Sequence, residues 1–453
     1  MEAQRSPNAS LGSIRGLLER IGEQVTHQRR MTHASAALLA AALLAASPAA
    51  SPSPAPDAAA RVSAARSTIS ISGGRLAGPG AGVLRDALAG AQFVMLGEDH
   101  GTREIAQFSG ALFETLAPRG FDTVAIETGP VLAAKMRGWL ASSGERPQYA
   151  TFESAHGGAT AFYGWQDEYA FLAGATRATR GALRLWGLDQ ELMGASKLLL
   201  ESILAQRPGP HSTALIRAML AQDAADYAKA AQSGDPGQMF LLQVDPSSLH
   251  ALEASLKQDG NARSQQLVAG LIATRNIYAN CCNSLAAQSN RDRALLMKQT
   301  QVAYVNAAGA YARPPKIFFK FGGEHLYRGL NPLSNLDLGN YVSEIADGLG
   351  LRCVNILVLG TEGKQSRFAG IGKPWADASY KLGDEDHDIF AFLTPFVHAT
   401  GTSPALYDLR LLRKNFSAAG IADKEYARMV YGYDFLLLIP NTTADPPIAQ
   451  NAF

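Results

Sequence analysis

The sequence predicts an α/β fold, with a central, mostly parallel sheet flanked by helices and a helical insertion forming a lid over the carboxyl-end edge of that sheet. Three observations predict it. Short apolar runs recur without polar alternation, as expected of strands covered on both faces. Helical patterns lie between them, giving the β–α alternation of a wound sheet. Residues 194–306 carry helical signals alone. Of the 453 residues 47% are hydrophobic and 18% charged, which is ample for a large core.

The elements follow in order. Residues 1–50 read as a signal peptide with an N-terminal extension: His27, Arg29 and Arg30 precede a run of almost pure Ala and Leu, 34–46, followed by small residues and prolines. A positive start, a short apolar centre and a small-residue cleavage zone direct export. The run falls short of the ~20 residues of a membrane-spanning helix. A mature protein starting near residues 50–60, periplasmic or secreted and without a membrane span, is expected; Met31 is a second candidate start. Residues 51–78 read as a Pro/Ala/Ser linker unable to fold alone, 79–445 as the α/β domain and 446–453 as a tail. Glycines 73, 74, 78 and 82 precede the first strand of the sheet, so they read as a flexible leading segment and not as a phosphate loop. Strands are predicted at 93–96, 123–126, 183–186, 317–319, 354–359 and 435–439, and helices at 104–117 and 131–141. Within 194–306, Pro208-Gly209-Pro210, Gly234-Asp235-Pro236-Gly237 and Asp259-Gly260 punctuate the helical pattern.

Composition excludes some functions. Forty-one basic against forty acidic residues leave a formal charge of +1, which argues against a nucleic-acid partner and says nothing against a small-molecule or peptide substrate. Three cysteines, Cys281, Cys282 and Cys353, cannot make a disulfide framework; two buried thiols are favoured over a vicinal bridge, and no thiolate zinc pattern exists. There is no GxSxG elbow, HExxH or Walker loop. His398 and the acidic turn 384–388 read as exposed loop positions, without a calcium-loop pattern.

Ligands of open α/β sheets bind outside the carboxyl ends of the strands, so the residues following each strand matter most. The first strand ends in Gly97-Glu98-Asp99-His100-Gly101, the second in Glu127-Thr128-Gly129, the third in Gly187-Leu188-Asp189-Gln190-Glu191, and the fourth in Gly322-Gly323-Glu324-His325-Leu326-Tyr327-Arg328. Gly97 and Gly322 are expected to let the chain turn sharply so that each histidine projects over the rim. An imidazole carries protons near neutral pH, and a carboxylate beside it fixes its tautomer. Converging carboxylates and imidazoles also suit a divalent metal. Arg328 or Arg103 could bind a substrate carboxylate or a developing oxyanion. Asp189 reads either as a substrate-binding group or as a helix cap. Asp99, Glu191 and Glu324 read as solvated or structural. Tyr163 and Trp165, in the stretch Phe162-Tyr163-Gly164-Trp165, read equally as an apolar substrate wall or as core. Without a nucleophile motif, attack by an activated water is the simplest hydrolytic route.

The run Leu96-Gly97-Glu98-Asp99-His100-Gly101-Thr102-Arg103-Glu104 resembles the first motif of the erythromycin-esterase family. Ile126-Glu127 resembles its second and Gly187-Leu188-Asp189 its third. Asn290-Arg291-Asp292-Arg293 resembles its helix with an Arg-Asp pair, the stretch from Lys316 to His325 its late histidine strand, and the stretch from Tyr433 to Ile439 its terminal strand. The likeness runs over about residues 80 to 445. It implies a hydrolase with His100 as general base, Glu98 and Glu127 as its partners and His325 across the cleft, aided by Arg328. The esterases of this family are held to need no cofactor. One departure is that only Asp99 separates Glu98 from His100, where the family has two residues. The Gly-x-x-His spacing is more like the Tiki/TraB and ChaN-like branches of the wider superfamily, which implies either a metal-dependent peptidase or a haem-binding protein. A divalent metal or haem would then fall to His100, Glu98, Glu127 and His325.

Overall fold

The computed structural model describes residues 58–142, 146–281, 283–309, 314–382, 391–413 and 424–449. The expected signal peptide, residues 51–57 of the expected linker, Cys282, the acidic turn 384–388 and residues 450–453 lie outside the described residues.

The described strands are β1 (Arg66–Thr68), β2 (Ser70–Ser72), β3 (Arg75–Ala77), β4 (Ala91–Glu98), β5 (Thr123–Ile126), β6 (Arg184–Gly187), β7 (Ile317–Gly322), β8 (Arg352–Gly360), β9 (Glu362–Arg367), β10 (Ala376–Lys381), β11 (Ala405–Asp408) and β12 (Phe435–Ile439). Eight of them form one sheet in the order β1-β11-β12-β8-β4-β7-β5-β6. From β12 to β6 every pairing is parallel. The short strands β11 and β1 extend that edge with antiparallel pairings. The six strands predicted from sequence are β4 to β8 and β12, and the predicted helices are Arg103–Leu116 and Pro130–Ala141.

The lack of alternation in the strands has a direct cause. Along β4, Val94 and Leu96 enter one core cluster while Phe93 and Met95 enter a second on the opposite face. Along β12, Phe435, Leu437 and Ile439 divide from Leu436 and Leu438 in the same way. Both faces are covered, so both sets of side chains are apolar.

Residues 58–78 are not a linker. Helix Ala58–Ala64 leads into β1, which pairs with β11, and Gly73 and Gly74 (φ 56° and 73°) make the two-residue turn of the β2–β3 hairpin. Composition misled here because the segment borrows its core: Val62, Ala65 and Ile69 are buried against the rest of the domain.

The insertion is helical throughout. Among the described residues, no strand lies between Met193 and Ala307, where the long helices are Pro210–Ser233, Pro246–Asp259, Ala262–Asn280 and Ala286–Ala307. Gly234 and Gly260, both left-handed, end two of them as the punctuation suggested. Most of the segment packs into a core of its own around Leu200, Phe240 and Leu271. The last helix instead returns to the sheet through Met297 and Val305.

After β12 the chain doubles back as a strap. Thr442 bridges to Gly363, Ala444 to Thr102 and Pro447 to Trp165. The Asp445 carboxylate accepts the backbone N–H groups of Asp167 (2.9 Å) and Glu168 (3.1 Å). Residues 446–449, expected as a tail, belong to this strap. Two smaller expectations also change. Cys281 is half-buried and disulfide-bonded instead of carrying a buried thiol, while Cys353 is free. His398 is exposed but sits on helix Thr394–Thr400, not on a loop. Among the described residues no helix is long and apolar enough to cross a membrane.

Candidate active site

The register of the sheet assembles the site. Glu98, the last residue of β4, pairs with Gly322 of β7, and Ile126 of β5 pairs with Lys320 of β7. The carboxyl ends of β4, β7 and β5 therefore stand side by side, with β6 next along the edge. His100, Glu127, Asp189 and His325 follow these four ends directly and converge.

His100 is held at both ring nitrogens. Nδ1 lies 2.8 Å from Glu98 Oε1 and Nε2 lies 3.2 Å from Glu127 Oε2. One face of the ring is covered by Phe162, stacked at 3.8 Å between centroids and 11° between planes. The imidazole side chain keeps 18% of its surface exposed, against 2% for Glu98 and 3% for Glu127, so it is the accessible member of the group. Burial opposes charge on His100, but Glu127 and Glu98 more than offset it and raise the imidazole to about 10.

Beneath His100, on the face of β4 that also carries Val94 and Leu96, Glu98 accepts a 2.5 Å hydrogen bond from Lys320 Nζ. Lys320 sits in the middle of β7 with 1% of its side chain exposed and also donates to Glu168 at 2.6 Å. Burial pushes the Glu98 carboxyl up, but Lys320 and then His100 pull it below the ordinary range. Glu168 goes the other way: burial outweighs Lys320 and raises it to about 8. Near neutral pH the pocket thus favours a charged Glu98, a charged Lys320 and a protonated Glu168, which balances the buried charge.

Glu127 is the crossing point. It accepts from the Gly322 backbone N–H (2.5 Å) and from Arg293 Nη2 (2.7 Å), and lies 3.5 Å from His325 Nε2. Burial raises its carboxyl, but His325, His100 and Arg293 hold it well below the ordinary range. The Nδ1 of His325 lies 2.9 Å from Asp337 Oδ2, at the start of helix Leu338–Gly348. Burial and Arg293 oppose charge on His325, while Asp337 and Glu127 raise its pKa.

The structure brings together His100, Glu98, Glu127 and His325, and separates them from others expected beside them. Asp189 is neither a helix cap nor a free substrate group; Arg293 donates to both of its oxygens, through Nε at 3.0 and 3.2 Å and through Nη2. Arg103 is held by Asp167 at 3.1 Å. Arg328 is misplaced as an oxyanion group, because it donates to Asp434 (2.7 Å) and to the Cys353 carbonyl (2.9 Å). Cys353 pairs in register with Phe93, while Glu98 pairs with Val358. Arg328 thus reaches the amino-terminal half of the sheet, roughly 16 Å down the strands from the rim. Tyr163 and Trp165 are core, at 1% and 2% exposure, and it is their neighbour Phe162 that meets His100. Glu191 is structural, accepting from Val131 N at 2.6 Å at the start of helix Pro130–Ala141. Neither Gly97 nor Gly322 adopts a positive φ, so the sharp-turn argument does not apply to them.

Lys320 and Asp337 have no role in the sequence reading, where Arg293 enters only within the helix resemblance and Phe162 only within the aromatic stretch 162–165. The signal for Lys320 was present, since a lysine inside the apolar run from Ile317 to Phe321 must find a buried acid.

The four side chains named for a metal or haem lie close together. Their nitrogens and oxygens face each other in proton-sharing pairs, and the Arg293 cation already stands 2.7 Å from Glu127. Among the described residues no three of His, Cys, Asp and Glu are arranged to hold a metal ion.

No protein-family model and no curated protein matches the sequence. Solved structures do. A mutant of the erythromycin esterase EreC in its open conformation superposes with a TM-score of 0.52 over 80% of this chain and 94% of that one, at 15% identity. A Bacillus cereus protein gives 0.53 over 86% and 99%, at 13% identity. A succinoglycan biosynthesis protein gives 0.54 over 85% and 97%, also at 13%. The chain shares the fold of these three structures, an erythromycin esterase among them.

Proposed function

We propose that this protein is an esterase-like hydrolase that cleaves an ester, lactone or amide bond in a small-molecule or peptide substrate by attack of a water activated at His100. One observation carries the reading: a partly exposed imidazole at the sheet rim, backed at Nδ1 by a buried carboxylate and facing a second carboxylate at Nε2. The fold shared with an erythromycin esterase supports it.

In this reading Glu98, kept ionised by Lys320, holds the proton on Nδ1, so that Nε2 is the nitrogen presented to the cleft. With both carboxylates close, His100 is an imidazolium near neutral pH. Reacting groups that enter over Gly322 and separate Nε2 from Glu127 weaken the field on the ring, and it releases one proton to solvent. The neutral Nε2 then takes a proton from water as the water oxygen bonds to the carbonyl carbon. When the bond to the leaving group breaks, His100 returns that proton to the leaving oxygen or nitrogen. His325, whose imidazole Asp337 and Glu127 shift towards the protonated form, and Arg293 stabilise the negative charge that develops on the carbonyl oxygen. No cofactor enters this scheme. We also read the enzyme as exported to the periplasm or secreted, on the strength of residues 27–54.

The test is His100→Ala against a panel of p-nitrophenyl esters, a lactone and a peptide, with and without chelator. The expected result is loss of turnover in a variant with unchanged circular dichroism, and indifference of the wild type to chelator. Full activity in the folded variant overturns the role of His100. Loss with chelator and recovery with Mn²⁺ or Zn²⁺ replaces the reading with a metal-dependent peptidase. A Soret band on haem titration, lost in the same variant, replaces it with haem binding.

A further inference from the structure

Gly322 poses a question that the rest of the site does not answer. Its backbone has φ −53° and ψ 140°, a conformation open to every L-residue. It is half-buried, and its N–H, which anchors Glu127, would survive substitution by any residue but proline. Backbone geometry therefore does not call for glycine. Sterics do, in a specific way. A methyl group on Gly322 would stand 3.1 Å from His100 Nε2 and 3.2 Å from Glu127 Oε2. These are the two atoms whose proton exchange the proposed reaction uses, and they are themselves 3.2 Å apart. Two other glycines of the domain are excluded from bearing a side chain by packing alone. At Gly339 a methyl would strike the Leu326 backbone, and at Gly323 the Leu357 side chain at 2.8 Å. Gly322 alone among these three faces the reacting nitrogen.

We propose that Gly322 is a specificity-determining position: its missing side chain leaves room beside the Nε2–Glu127 pair for the incoming nucleophile and acyl group to come between the two. Phe162 covers one ring face of the imidazole and Glu98 its Nδ1 edge. At the Nε2 edge the space over Gly322, beside Glu127, is bounded by the Cα hydrogen of residue 322. The inference rests on the proposed role of His100 and adds to it the path by which the substrate reaches that residue. Serine or alanine at 322 would narrow that path without removing any polar group of the site.

The experiment compares wild type, Gly322→Ala and Gly322→Val in two assays. The first follows acylation of His100 by diethyl pyrocarbonate at pH 10, where about half of the imidazole is neutral, mapped by mass spectrometry, and needs no natural substrate. The second follows hydrolysis of p-nitrophenyl acetate and of longer p-nitrophenyl esters. Labelling of His100 should slow about tenfold or more in Gly322→Ala and further in Gly322→Val, with hydrolysis falling in parallel and longest acyl groups affected most. Melting temperature should stay close to wild type, and labelling rates are compared after division by the neutral fraction of His100 in each protein. Equal labelling in all three proteins overturns the proposal, as does a wild-type His100 that resists the reagent. Failure of Gly322→Ala to fold overturns the claim that only the site requires glycine. His100→Ala run beside them separates the two levels. If it retains hydrolysis, the hydrolase reading falls; if it loses hydrolysis while Gly322→Ala keeps it, only the present inference falls.

Discussion

Replacing Glu127 by glutamine removes one of the two charges that hold a proton on His100 and leaves the side-chain shape nearly unchanged. The magnitude follows from the geometry. At 3.2 Å and an effective dielectric of about 20, two unit charges interact by about 5 kcal/mol. Both charges are spread over two atoms, so the mean separation is larger and about 3 kcal/mol is the working figure. That corresponds to about two pH units. The His100 titration should therefore fall from about 10 in the wild type to about 8 in Glu127→Gln. The assay is NMR of histidine-labelled protein, following ring carbon and proton shifts against pH. The chain has nine histidines, and the His100 signal is the one missing from His100→Gln. A wild-type His100 that titrates near the ordinary 6.5, or a midpoint unmoved in Glu127→Gln, would refute the electrostatic account of the site.

Three further outcomes are expected. A raised histidine pKa contributes stability that is full below about 6.5 and lost as pH climbs towards 10; Glu168 and Glu153, buried and raised to about 8, act in the same direction because ionising them costs the folded state more. Melting temperature should fall from mildly acidic to alkaline pH, less steeply in His100→Gln, and a rise across that window would contradict this. Lys320→Met leaves the ionised Glu98 buried without its cation and should cost about 3–5 kcal/mol in urea unfolding, with part regained in Lys320→Met/Glu98→Gln. Arg328→Ala should lower the melting temperature, since Asp434 loses a buried partner, yet leave kcat/KM on p-nitrophenyl acetate within about twofold of wild type. A selective loss of kcat would return Arg328 to the site.

What the sequence disclosed and what it hid follow from the range of the forces involved. The six parallel strands were legible because burial on both faces writes a continuous apolar run into each one. The edge strands β1 and β11, three and four residues long, are too short to show any period. Within the site, residues that follow a strand directly, such as His100 and Glu127, could be placed from the topology rule alone. Arg293 could not, because it lies in a long helix whose phase against the sheet is fixed by tertiary packing. Arg328 was misread for the opposite reason: three residues from His325 in sequence, it is drawn down the sheet by Asp434. Phe162 reads no differently from Tyr163 and Trp165, since nothing in that short aromatic stretch says which ring turns outward.

The strap after β12 has a consequence for when the protein can become active. Ala444 grips the turn just beyond His100, and Pro447 grips Trp165, close to the ring that covers His100. The ribosome delivers these clasps more than three hundred residues after the histidine they secure. A nascent chain would hold every reactive group yet leave its two loops unlatched, so competence arrives late and all at once. Trimming the chain at Ile439 would therefore be felt at the far end of the sequence, as a loosened His100, before it was felt as a loss of overall structure.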